Sequence, residues 1–429
     1  MLLEFSTPER KENLMTTATK TREPNSGTVT AVADQAPPQP VSGLLDITRR
    51  GPAFVRPSGF RASPDDVSVP ASLIKQYDLR PGDHLTGTAR SAPASRNGNN
   101  RNGQAKNSGQ AKASTQTKTL TLTTVGTVNG APAESAARRP RFDQLTPVYA
   151  DERLRLEAGS PSATARIIDL VGPVGKGQRG LIVSPPKAGK TMLLKAIANA
   201  ITAGSPDVHL MLVLVGERPE EVTDLRRSVD GEVISSTFDQ TAEDHIMVAE
   251  LAIERAKRLT EAGRDVVVLL DSITRLARAY NLIAPATSRI LAGGVATSAL
   301  QPPRTFLGAA RNIEGGGSLT ILSTALIDTG SRMDDVFFEE FKGTGNMELR
   351  LRRDLAEKRL YPAIDVAASG TRRDDLLMTP DEYAAVGQLR RGLSSLEPQQ
   401  ALELLLERTR ETSSNAEFLR QIQVSGTRA

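Results

Sequence analysis

The chain has 429 residues, with 54 Lys or Arg against 50 Asp or Glu for a net charge of +4, 38% hydrophobic residues, and neither Cys nor Trp. At roughly 100–200 residues per domain, that length suits two or three domains. The composition excludes a collagen-like chain, a disulfide scaffold and a zinc site built on thiolates.

The longest clean apolar run, Leu210 to Val215, is far short of the roughly 20 residues that a membrane helix needs. Met1-Leu-Leu-Glu-Phe5 has no cationic n-region or apolar h-region, so no secretory signal is read there. A cytoplasmic protein with no membrane contact is expected. Charge is uneven along the chain: residues 1–150 carry 19 Lys or Arg against 12 Asp or Glu, and the remainder is slightly acidic.

Residues 1–40 are rich in Thr, Pro, Ala and Glu with few large apolar side chains. They cannot bury enough surface to offset the entropy of ordering, and a disordered tail is expected. From Val41 the runs Gly43–Thr48, Ala53–Val55 and Val67–Val69, then a short helix Ala71–Tyr77 after Pro70, alternate with Gly and Pro turns. Leu120–Val128 resumes the strand alternation. Short strands around one small helix predict an OB-type (cold-shock-like) β-barrel over residues 41–137. Within it, residues 91–118 form an Asn/Gly/Ser/Gln/Ala/Lys tract with no aromatic and no acidic residue. This reads as a disordered basic insert, either attracted to a polyanion or serving as a solvated linker.

A connector is expected over residues 138–175, followed by an α/β domain over 176–429. Apolar strands at Gly180–Val183, Leu210–Val215, Val233–Ser236, Val266–Leu270 and Leu319–Leu326 alternate with helices at Thr191–Ala203, Pro219–Ser228 and Ala242–Ala262. Near-continuous apolar strands between helices predict a parallel sheet covered on both faces. From Thr379 the chain reads as helices, opened by Thr379 with Pro380-Asp-Glu and again by Pro398.

Gly180-Leu-Ile-Val-Ser-Pro-Pro-Lys-Ala-Gly-Lys-Thr191 sets a strand, a turn and a helix start around Gly189-Lys190-Thr191. That is the context of a phosphate-binding loop. Backbone N–H groups and the helix N-terminus face the phosphates, Lys190 reaches the β/γ oxygens and Thr191 holds magnesium. Ser184 stands where the generic motif has its first glycine, and Lys187 adds a second cation. The strand Asp265–Asp271 ends in a carboxylate that suits magnesium support or a plain turn cap. Leu210–Val215 runs into Gly216-Glu217-Arg218, so Glu217 is the candidate general base, with a surface salt bridge as the alternative.

With these elements in place, the chain resembles the Rho-type bacterial transcription terminators, RecA-like hexameric RNA helicases. The resemblance rests on Ser184-Pro-Pro-Lys-Ala-Gly-Lys-Thr191, Glu217-Arg-Pro-Glu-Glu-Val222, Asp271-Ser-Ile-Thr-Arg-Leu-Ala-Arg-Ala-Tyr-Asn281, Gly308–Asn312, Thr324–Gly330 and Glu340–Met347, in that order. Rotary ATPase subunits share the RecA-like core but lack the Pro-Pro pair in the phosphate loop.

The resemblance implies an RNA-dependent ATP hydrolase that forms a homohexamer on single-stranded RNA, uses ATP and Mg2+, and acts on RNA polymerase, with elongation factors as further partners. A ring that binds RNA without unwinding it and a rotary-type ATPase subunit are the other readings. By the same resemblance Pro186, Lys187, Ala188, Gly189, Lys190, Thr191 and Met192 bind nucleotide, and Tyr361 stacks on adenine. Thr191 and Asp271 hold the metal. Glu217, Lys190 and Arg218 serve catalysis, and Arg372 is the arginine finger reaching a neighbour. Gly293 and Gly294 with Arg289, and Thr329 and Gly330 with Arg332, match two pore loops that grip RNA. Both cations are Lys in the family, and Arg replaces a compact ammonium with a planar fork.

The barrel departs most from the family. Of its usual Gly-Phe-Gly-Phe platform, Gly51-Pro-Ala-Phe-Val-Arg56 keeps only Phe54, and Ser68 replaces a usual Tyr. Phe54 and Arg56 remain as RNA-binding candidates there. No helical subdomain is recognisable in residues 1–40.

Overall fold

The computed structural model describes residues 37–48, 51–91, 120–160 and 162–426. Most of the expected tail and, beyond Ser91, the expected basic insert lie outside the described residues. No helix among the described residues is long and apolar enough to cross a membrane.

The first unit of structure is a small barrel made of β1 (Gln39–Ile47), β2 (Ala53–Arg56), β3 (Val67–Val69), helix α1 (Ala71–Tyr77), β4 (His84–Ser91) and β5 (Leu120–Val128). The strands follow the order β3-β2-β1-β4-β5, and β3 closes the ring against β5 with Ser68 opposite Thr121. Leu45, Val55, Val67, Leu85 and Leu122 fill its interior. One boundary and one strand differ from the sequence expectation. β1 begins at Gln39, inside the segment read as tail. β4 carries no strong apolar alternation, since only Leu85 and Ala89 of its eight residues are buried. It is held by backbone pairing, with Gly87 so close to β5 that a Cβ there would lie 2.1 Å from the Thr124 carbonyl.

The α/β domain is built on β6 (Arg179–Ser184), β7 (His209–Glu217), β8 (Glu232–Thr237), β9 (Asp265–Asp271), β10 (Ser318–Leu326) and β11 (Met347–Arg350). They pair in parallel in the order β8-β7-β9-β10-β6-β11, and the two-residue β12 (Gly370–Thr371) adds an antiparallel edge. Side chains alternate between two cores. Leu181 and Val183 face α5 (Ala242–Glu261), α6 (Ile273–Leu282), α7 (Thr297–Gly308) and α8 (Arg332–Lys342). Ile182 faces α2 (Ala163–Val171), α3 (Lys190–Gly204), α4 (Pro219–Ser228) and the C-terminal helices α9 (Pro380–Leu393), α10 (Pro398–Glu411) and α11 (Asn415–Gly426). Burial on both faces explains why the strands read as near-continuous apolar runs. α2 lies in the segment read as a connector, yet Ile167, Ile168 and Leu170 make it part of the core.

The barrel is fastened to α5 by a buried polar network. Arg80 lies 3.2 Å from Glu261 and donates to the Pro140 carbonyl at 2.8 Å. Glu261 also accepts from the Phe142 backbone at 2.8 Å and pairs with Arg258 at 3.1 Å. Burial pushes the Glu261 carboxyl up despite these cations. Gly82, at φ +82, approaches α5 so closely that a Cβ would sit 2.4 Å from the Arg255 nitrogen. Gly82→Ala is therefore expected to cost about 2 kcal/mol or more by forcing the barrel off the helix and straining a left-handed residue. A urea unfolding midpoint equal to wild type would contradict that packing.

Candidate functional site

The carboxyl ends of parallel strands are where such sheets bind ligands, and the loops after β6, β7 and β9 meet there. β6 stops at Ser184, whose buried hydroxyl donates to the Pro185 carbonyl at 3.0 Å. Lys187 (φ +65) and Gly189 (φ +88) then turn the backbone into α3, which starts at Lys190. Pro186 and Lys187 are exposed and Ala188 is buried. The Lys187 ammonium has no partner among the described residues, so a cation stands beside an uncapped helix N-terminus. Tyr361 leans over the same turn, since a Cβ on Gly189 would lie 3.1 Å from its ring. Met192 is exposed one turn into the helix.

The Lys190 ammonium bonds to Glu217 at 2.7 Å and to Asp271 at 2.5 Å. Both carboxylates are buried, with side chains 5% and 2% exposed. Asp271 also accepts from the Thr324 hydroxyl at 2.7 Å, and Glu217 lies 3.4 Å from Arg275. Burial and then the Asp271 charge push the Glu217 carboxyl up, against the pull of Lys190 and Arg275. For Lys190, burial disfavours the charge, but Asp271 and Glu217 outweigh it and raise its pKa. The Thr191 hydroxyl donates to Glu221 at 3.1 Å. No group of three or more His, Cys, Asp or Glu that could hold a metal occurs among the described residues. Thr191 and Asp271 supply two hard oxygens, which fits magnesium, an ion usually held by one or two protein groups plus substrate phosphates. Arg218 follows Glu217, exposed and without a side-chain partner among the described residues.

α6 starts two residues after Asp271 and ties down the two loops that carry Arg289 and Arg332. Asn281 donates to the Gly294 carbonyl at 3.1 Å and accepts from the Ala296 N–H at 2.7 Å. Arg278 grips the buried Asp334 at 2.8 and 2.5 Å, and the Thr329 hydroxyl donates to the same carboxylate at 2.5 Å. Gly293, Gly294 and Gly330 all have positive φ. Gly293 packs so near the other loop that a Cβ would lie 2.8 Å from the Arg332 carbonyl. Arg289 and Arg332 are exposed and unpaired among the described residues. Arg372, also exposed and unpaired, lies just past β12.

In the barrel, Phe54 is half-buried and pairs across the sheet with Ser68 on one side and Asp46 on the other. Arg56 does not take the place expected of it. It is 3% exposed, forms a salt bridge with Asp46 and another with Asp66 at 2.7 Å, and touches Met247 of α5. Two carboxylates and Met247 engage its guanidinium, so in this structure it anchors the barrel.

Sequence reasoning missed Thr324, Arg275, Arg278, Asn281 and Asp334 as members of the site. All but Asp334 sit in a quoted motif, but each one's partner lies 50 residues or more away or across a loop, where periodicity carries no signal. Lys190→Ala should remove the one cation bonded to both buried carboxylates, raising the Glu217 pKa further. Breaking such a cluster costs about 3–5 kcal/mol. Because the folded variant then holds a proton that the unfolded chain releases, its deficit should be smallest below the ordinary glutamate pKa of about 4.3 and grow as pH rises. Urea titrations at acidic and neutral pH check this, and a pH-independent deficit would contradict it.

A model of the Rho termination factor RNA-binding domain matches residues 41–134, and one of the ATP synthase alpha/beta family nucleotide-binding domain matches residues 164–371. Transcription termination factor Rho of Micrococcus luteus is 59% identical over 381 residues, covering 89% of this chain and 54% of that protein. The Streptomyces lividans protein of the same name is 59% identical over 90% of this chain and 52% of its own length. This chain thus spans about half the length of those two relatives. It spans 92% of the Streptosporangium roseum transcription termination factor Rho, at 56% identity over 89% of this chain. Among solved structures, an ATPase from the type III secretion system of pathogenic bacteria aligns with TM-score 0.55 and 24% identity over 65% of this chain and 86% of that one. An ATP synthase subunit from Nanoarcheaum equitans aligns with TM-score 0.53 and 18% identity over 66% and 78%. Those two likenesses concern the fold: a P-loop ATPase domain. Against near-complete coverage of a relative at 56% identity they do not favour a rotary subunit. The chain belongs to the transcription termination factor Rho family.

Proposed function

We propose that the chain is an ATP-driven RNA translocase that works as a homohexameric ring and releases transcripts from RNA polymerase in the cytoplasm, with elongation factors as further partners. One observation carries the reading. α6 begins at the Lys190–Glu217–Asp271 cluster and, through Asn281 and Arg278, holds both loops that present unpaired arginines. A shift at the hydrolysis end of this helix moves the RNA end as one body.

On this reading the backbone from Pro186 through Gly189, with Lys187, receives the phosphates of ATP. Lys190 exchanges its carboxylate partners for phosphate oxygens. Tyr361 and Met192 flank the adenine. Magnesium, held with the phosphates by Thr191 and Asp271, neutralises charge on them when bound. Glu217, released from Lys190 and already raised in pKa by burial, accepts the proton of the attacking water. Arg218 sits beside it as a second cation for the phosphates. Arg372, exposed and unpaired, reaches the site of a neighbouring subunit and stabilises transition-state charge, so hydrolysis requires assembly. Arg289 and Arg332, with the loop backbone at Gly293, Gly294, Thr329 and Gly330, grip the RNA phosphates. Phe54 offers one stacking surface in the barrel, where capture is weaker for want of a second ring.

Glu217→Ala should still bind ATP but lose RNA-stimulated turnover by about 10²–10⁴-fold, the usual effect of deleting a general base. The translocase reading is tested by displacement of a DNA strand annealed to the 3′ part of an RNA. ATP-dependent displacement by the wild type and none by Glu217→Ala is the expected result. RNA-stimulated hydrolysis without displacement would favour a regulatory, non-unwinding ring, a reading motivated by the loss of ring side chains around Phe54.

A further inference from the structure

The mount of Arg372 contains a residue in a conformation its side chain does not favour. β12 is only two residues long, fixed by the Thr371 hydroxyl donating to the Pro173 carbonyl at 2.7 Å and by the Arg372 N–H donating to the Asn346 carbonyl at 2.8 Å. The next residue, Arg373, has φ +59 and ψ 37, a left-handed conformation that ordinarily selects Gly or Asn. That reversal directly follows Arg372, whose side chain is exposed.

Three contacts hold Arg373 there. Its guanidinium bonds to Asp375 at 3.0 Å through both Nε and Nη2. Its carbonyl accepts from the Leu376 N–H at 3.1 Å. Its Cζ lies 5.3 Å from the centroid of the Tyr149 ring. Tyr149 is itself braced. Its carbonyl accepts from Asn312 at 3.2 Å, and Val148 pairs with Asn312 across a short strand. Yet the ring is 66% exposed, and its hydroxyl has no hydrogen-bond partner among the described residues. An aromatic ring left in solvent beside an arginine serves as the face on which the cation rests.

We infer that Tyr149 and Arg373 form a clamp that sets the pose of Arg372, making Tyr149 a positioning residue for hydrolysis in the neighbouring subunit. The inference rests on the reading of Arg372 as an arginine finger. A finger acts on charge that develops in the transition state, so loosening it lowers turnover without weakening ATP binding.

Steady-state ATPase of the full-length ring on saturating RNA tests it. Tyr149→Ala is expected to lower kcat about two- to five-fold, the scale of an exposed cation–π contact, with KM for ATP, thermal midpoint and hexamer mass unchanged. Tyr149→Phe keeps the ring face and should match wild type. Tyr149→Ala combined with Arg373→Ala should be no worse than Arg373→Ala alone, and in an Arg372→Ala background it should have no further effect. Wild-type kcat for Tyr149→Ala, with Arg372→Ala inactive, overturns the clamp and leaves the finger standing. Near-wild-type turnover by Arg372→Ala overturns the finger itself. A rise in KM or loss of assembly with Tyr149→Ala assigns the residue to the interface and overturns the clamp.

Discussion

The arrangement at the sheet's carboxyl edge depends on one ammonium. Lys190 is shared between Glu217 and Asp271, two carboxylates from neighbouring parallel strands, both almost fully buried. Two buried carboxylates this close would repel across the strand end without a cation between them. The fold supplies the geometry cheaply: α3 begins directly at Lys190, and the turn before it is shaped by positive φ at Lys187 and Gly189. A phosphate entering this turn competes with the carboxylates for the same ammonium, so occupancy of the loop and freedom of Glu217 are linked by charge.

In the proposed function the same edge is where mechanical coupling begins. Asp271 closes β9 and α6 follows with Ser272 as its N-cap, whose hydroxyl accepts from the Arg275 N–H at 3.2 Å. Arg275 reaches back to the Gly216 carbonyl at 2.7 Å, next to Glu217, while Arg278 and Asn281, further along the helix, secure the two arginine-bearing loops. A rigid helix with polar grips at both ends transmits a displacement with little loss. The barrel joins this body through α5, by way of Arg80 and Glu261 at one place and Arg56 against Met247 at another.

How much was legible in the sequence follows from how local each signal is. The phosphate loop, the strand ending in Asp271 and the Glu217 corner were readable because a strand, a turn and a charged residue stand side by side. β7 runs two residues past Val215, because Gly216 (φ +68) introduces an irregularity that lets Glu217 rejoin β8 opposite Thr237. β4 was not legible, because Thr and Gly pair by backbone and leave no apolar rhythm. α2 lies where the sequence reads as a connector, yet Arg166 within it is buried and ties the ends of α10 and α11 through the Thr412 carbonyl at 2.6 Å and Asn415 at 3.1 Å. The pairing of Arg56 is hidden for a similar reason. A cation beside an aromatic suggests RNA, but Asp46 and Asp66, ten residues away on either side, fold back to neutralise it. Pairings made by tertiary structure leave no trace in composition or spacing.

The central claim is that hydrolysis at Lys190, Glu217 and Asp271 is geared to nucleic acid at the arginine-bearing loops. Steady-state ATPase of the wild-type chain, measured with and without single-stranded RNA at fixed magnesium and salt, tests it most directly. Slow hydrolysis alone and a many-fold rise with RNA are expected; an ATPase rate indifferent to RNA would contradict that coupling.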